Sequence, residues 1–146
     1  MTSVAHLARR FVTSLSRTPP PAADVEWAVG HLLPAEAELW ATMTVQDRRH
    51  SILVARRFVA FAPHARRPEV AAALLHDVGK LASGLGTLGR VLATVLGPRT
   101  ARFRTYHDHE RLGAEMLDAA GSPSATVELV QGCGPHAADL RRADNI

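Results

Sequence analysis

His76 and Asp77 stand side by side at the end of an apolar run, Ala72-Ala73-Leu74-Leu75-His76-Asp77-Val78-Gly79-Lys80. Burying an ionised carboxylate is costly unless it is paired or coordinates a cation, and neutral imidazole is the commonest side-chain metal ligand. The doublet therefore points to a metal site. On the dipeptide alone a second reading stays open, a polar pair at a frayed helix end bonded to water or backbone. His50, in Arg49-His50-Ser51-Ile52-Leu53-Val54-Ala55, and Asp144, in Leu140-Arg141-Arg142-Ala143-Asp144, are further candidates. Taken singly, His50 reads as a solvated residue beside two arginines and Asp144 as a surface carboxylate.

As an ordered set of His, His-Asp and Asp, these residues resemble the HD-domain superfamily of metal-dependent phosphohydrolases over roughly residues 48 to 144. The resemblance implies that His50, His76, Asp77 and Asp144 are metal ligands. A second stretch, His109-Glu110-Arg111-Leu112-Gly113, is similar to the His-Pro-x-x-Gly element of the HD-GYP branch and its relatives. It implies a second metal position, with His109 as a ligand, His136 as a further one, and Asp77 bridging both ions. His107 is out of register with that element and reads as a surface residue. Three features depart from the HD-GYP pattern. Glu110 replaces the proline, Pro135-His136-Ala137 stands where paired histidines and a Glu are usual, and no Gly-Tyr-Pro segment follows. Cyclic dinucleotide specificity is therefore not carried over.

What the resemblance implies chemically is hydrolysis of a phosphoester by water that a divalent ion acidifies. One ion is expected and two are possible, from Mn, Fe, Co, Ni, Zn or Mg, since mixed imidazole and carboxylate ligands suit several of these. Asp77 and Lys80 are the expected catalytic residues. An ammonium fixed beside a metal site can neutralise a phosphoryl oxygen, although Lys80 also suits the C-terminal end of a helix as a plain dipole partner. The implied substrate is a phosphorylated small molecule, nucleotide-like or otherwise. The alternative is a non-catalytic HD-like helical module for ligand sensing or partner docking.

The rest of the chain must position these groups. Its 146 residues suit one domain, and 47% apolar with 21% charged residues is a globular balance. Cys133 is the only cysteine, which excludes an internal disulfide and fits a cytoplasmic setting. No apolar run approaches a membrane span. Lys80 is the only lysine among 17 basic residues, and the Arg doublets are scattered, which argues against a nucleic-acid interface. No signal for an oligomeric state stands out.

Apolar spacing of three and four predicts an all-α, compact multi-helix bundle like that of the HD domain. Helices are expected over roughly residues 3 to 16, 24 to 33, a short piece from Pro34, 44 to 62, Pro68 through Val78, 88 to 96, 108 to 119, Ser122 through Leu129, and Ala137 to Asp144. The Pro19-Pro20-Pro21 run and residues 84 to 89 read as connections. Thr44 with Asp47 resembles a capping box. Trp27, Trp40, Phe11, Phe58 and Phe61 fall at helical spacings and read as core. Residues 1 to 43 are taken as an N-terminal helical extension and 44 to 146 as an HD domain, packed as one unit.

Overall fold

Prolines and acidic caps set the helix starts. A computed structural model describes residues 17–82 and 106–146. Its α-helices are α1 (Ala22–Gly30), α2 (Pro34–Thr42), α3 (Val45–Phe61), α4 (Arg67–Leu75), α5 (Tyr106–Ala119), α6 (Ser124–Val130) and α7 (Ala137–Asp144), with a 3₁₀ turn at Val78–Ala82. Pro21 and Pro123 immediately precede α1 and α6, while Pro34 and Pro68 lie in the first turns of α2 and α4, where a missing N–H is harmless. The buried Glu36 and Glu69 are explained at the same helix starts. Each carboxylate accepts the backbone N–H of the residue before its helix, Leu33 at 2.7 Å and Arg66 at 2.6 Å, and each lies at the positive end of a helix dipole. Thr44 caps α3 by accepting the Asp47 N–H at 3.1 Å.

All seven residues from Glu69 to Leu75 are buried, so α4 is the central strut, apolar on every side. Helix α3 packs on one flank and α6 on another; α7 lies against α3, and α5 covers both α6 and the 3₁₀ turn. Two buried polar ties fix the packing. Trp40 Nε1 donates to Ser51 Oγ at 2.9 Å, joining α2 to α3, and Thr126 Oγ1 donates to Pro68 O at 2.9 Å, joining α6 to α4. Trp40 and Phe58 are core residues, while Trp27 is partly buried beneath the Arg56 guanidinium.

The all-α bundle is as expected, and no strand occurs among the described residues. No helix among them is long and apolar enough to cross a membrane. The helix expected over 3 to 16, Phe11, the glycine-rich loop at 84 to 89 and the helix expected over 88 to 96 lie outside the described residues. One boundary differs in a way that matters: the helix expected to run through Val78 ends at Leu75. His76 is its C-cap, and the chain then tightens, with Lys80 N–H donating to Asp77 O at 3.0 Å.

Ser51→Ala should leave the buried Trp40 N–H without an acceptor. The expected cost is about 1–3 kcal/mol in urea unfolding; an unchanged midpoint would show that this tie is dispensable.

Candidate metal centre

Three separated elements deliver the polar cluster. Residue 50 sits on the α3 turn anchored by buried Ser51, residue 76 caps the buried end of α4, and residue 144 ends α7, which packs on α3. His50 Nε2 lies 2.9 Å from Asp144 Oδ1. His76 Nε2 lies 3.5 Å from that same oxygen and 3.5 Å from Asp77 Oδ2. One ligand atom from each of His50, His76 and Asp144 falls within 4.8 Å of the others, a spacing that can hold a metal ion.

The tautomer of His76 is set by its backbone. Its Nδ1 is 2.8 Å from Ala73 O. A carbonyl can only accept, so Nδ1 carries the hydrogen and neutral His76 presents a lone pair at Nε2. That nitrogen is buried and makes no hydrogen bond, yet two carboxylate oxygens face it. Lone pair against carboxylate is repulsive, so the arrangement calls for a positive charge between them, either a proton on Nε2 or a cation. A backbone carbonyl behind a ligating imidazole is also how metal-binding histidines are commonly oriented.

The electrostatics agree. Asp144 is held far below the usual carboxylate range, first by its hydrogen bond to His50 and then by His76, against the opposing effect of burial. For His76, burial favours the neutral ring, but Asp144 and Asp77 together outweigh it and raise the pKa above 6.5.

Asp77 stands beside this trio and is tied to Lys80, whose Nζ lies 2.7 Å from Oδ2. The two residues expected to act on substrate are thus an ion pair. A cavity opens next to the cluster, and His109 forms part of its wall together with His76, Asp77 and Asp144. What brings α5 so close is Gly79. A Cβ at that position would sit 1.9 Å from His109 O and 2.8 Å from Gly113 N. Gly113 in turn lies against Gly79 and Val78, so the glycine of the His-x-x-x-Gly element serves the crossing. His136 is placed differently. It precedes α7, Nδ1 lies 3.2 Å from Asp139 Oδ2, its ring stands edge-on to Phe58, and it is not among the residues lining the cavity. The side chain of His107 is outside the description.

Two charged cavity residues were not singled out from the sequence as site residues, Glu110 and Arg141. Arg141 could have been found, since it precedes Asp144 by three positions and so shares its helix face. Glu110 carried only the weaker signal of replacing a proline.

The family model for the HD domain matches residues 48–138, and the chain belongs to the HD-domain family. HD domains typically bind divalent metals and are associated with hydrolysis of phosphorylated substrates. No curated protein and no solved structure matches the chain.

Two outcomes follow from the site's construction. Gly79→Ala should force α5 off the 3₁₀ turn, costing about 3 kcal/mol, and a fully stable variant would contradict the close crossing. The second concerns pH. The raised His76 pKa stabilises the metal-free fold fully below pH 6.5, and this contribution is lost as pH rises through the folded value; the Asp144 contribution is present above about 3.8 and is lost on acidification. Metal-free protein should therefore lose stability as pH rises above 6.5, and Asp144→Asn should flatten that fall. Equal slopes for the two proteins would argue against the coupling.

Proposed function

We propose that the protein is a metal-dependent phosphohydrolase in which His50, His76 and Asp144 hold one divalent ion, with Asp77 as a further ligand. The observation that carries this reading is the buried His76 Nε2, its lone pair directed by Ala73 O toward Asp144 and left without a hydrogen bond. When bound, such an ion lowers the pKa of water and polarises a phosphoryl oxygen.

The chain's own residues have distinct tasks. His76 is preset as a ligand without a change of tautomer. His50 exchanges its hydrogen bond to Asp144 for a place in the ligand set. Lys80 holds Asp77 Oδ2, the oxygen that also faces His76 Nε2, and so fixes the carboxylate beside the ligand set, where it can accept a proton from the attacking water or join the set. His109, on the cavity wall, is the residue best placed to add a second ion position. His136 is a poorer partner for it, since its Nδ1 is engaged with Asp139. Residues 44–146 form the HD unit in this reading, and residues 1–43 an extension whose α2 is tied to α3 through Trp40.

The position of His136 favours one alternative, a non-catalytic HD module that senses a ligand or docks a partner. Elemental analysis and hydrolysis of p-nitrophenyl phosphate separate the two. The parent should carry a transition metal and turn over the ester; His76→Ala with Asp77→Ala should lose both. Metal without turnover would favour the sensing module, and equal, negligible metal in both proteins would defeat the metal assignment altogether.

A further inference from the structure

Arginines elsewhere on α3 to α7 are engaged within the fold. Arg56 and Arg111 pair with Asp24 and Glu115, Arg57 and Arg67 donate to backbone carbonyls, and Arg48 and Arg142 cover aromatic rings. Arg141 is different. Its guanidinium makes no hydrogen bond or ion pair among the described residues, and it lines the cavity beside Asp144. Glu110 enters the same cavity from α5. The two approach each other over Gly132: a Cβ there would lie 3.7 Å from Glu110 Oε2 and 3.9 Å from Arg141 Nη1. Gly132 has φ +79°, which a residue with a side chain rarely adopts, so the floor between the two charges stays bare. They stand close without forming an ion pair.

Opposite charges that share a cavity and do not neutralise each other leave a donor and an acceptor for a ligand. A guanidinium presents paired N–H groups that match two oxygens of a phosphoryl group, whereas a carboxylate rejects phosphate and accepts from hydroxyls. Among the described residues the cavity carries three carboxylates, those of Asp77, Glu110 and Asp144, against this one guanidinium. One bound divalent ion would balance the excess. The single guanidinium can then take one phosphoryl group, while a chain of phosphates would bring further negative charge into a cavity that also holds Glu110.

We propose that Arg141 clamps the phosphoryl group of the substrate and that Glu110 accepts a hydroxyl of its leaving group. The site thereby selects monophosphate esters of hydroxyl-bearing leaving groups, of nucleoside or sugar type, over polyphosphates. This specificity rests on the phosphohydrolase reading above; binding of phosphate by Arg141 is measurable apart from it.

The experiment is calorimetric titration of the full chain and its variants with inorganic phosphate, a nucleoside monophosphate and the matching triphosphate, with metal content measured on each sample. Arg141→Ala should weaken inorganic phosphate binding by about tenfold to a hundredfold, and Arg141→Lys should recover part of it as a point charge. Glu110→Gln should leave phosphate binding in place and narrow the preference for monophosphate over triphosphate. Both side chains face solvent or the cavity, and circular dichroism should report unchanged helix content. Equal phosphate affinity in parent and Arg141→Ala, or no phosphate binding by the parent, overturns the clamp. An unaltered mono- to triphosphate ratio in Glu110→Gln overturns the selection. Absence of metal from the parent would instead count against the hydrolase reading, leaving the phosphate titration to decide Arg141.

Discussion

The Nδ1–H of His76 donates to Ala73 O at the last turn of a helix with nowhere to move. That bond fixes which nitrogen of the ring meets the carboxylates. An imidazole on an exposed helix would have water to satisfy either nitrogen and two tautomers to choose between. Here the ring sits at the end of α4, whose residues from Glu69 to Leu75 are all buried, and only 11% of its side chain is exposed, so water has little access to it. The neighbouring elements are then constrained in turn. Asp144 must arrive from α7 and His50 from α3, and the chain beyond His76 tightens into a 3₁₀ turn in which Lys80 pairs with Asp77.

Much of this was legible in the residue pattern. Helical spacing, the proline positions and the Thr44 cap gave the all-α class and most helix starts, because these depend on local chemistry that acts within a few residues. Such local signals do not report tertiary crossings. The continuation of α4 through Val78 had apolar residues at suitable positions, but the helix ends at Leu75 and the following 3₁₀ turn sets Gly79 against α5, a contact with residues thirty positions away. The set of His50, His76 and Asp144 emerged from order along the chain, and the fold brings the three within ligand spacing of one another.

Side-chain partnerships were less legible. Lys80 was notable as the only lysine, yet the sequence could not say that Asp77 would hold it at 2.7 Å. His136 lies in a suitable stretch of chain, but Asp139 stands one helical turn away and engages its ring. Conversely Arg141 sits in a doublet with Arg142, and nothing in the pair itself says that one will lie on Phe61 while the other faces the cavity. The difference is helical phase: adjacent positions point about 100° apart around the axis, so a doublet divides its duties once one member is packed.

Asp144 shows most clearly how site chemistry prevails over local preference. It is the final residue of α7, where unpaired carbonyls and the negative end of the helix dipole disfavour a carboxylate. Part of that penalty is met by Arg57, which crosses from α3 and donates to Ala143 O and Ile146 O at the same helix end. The larger compensation comes from the two imidazoles, which hold the carboxyl ionised far below its ordinary range. A helix designed for stability alone would end on a lysine or an arginine here. A carboxylate at the wrong end of a helix, kept charged by histidines from two other elements, is the kind of local conflict that marks a functional site. The same conflict explains why α3 and α7 must pack directly together. Separating them would remove His50 and Arg57 from Asp144 together, leaving a partly buried anion at the negative end of a helix dipole.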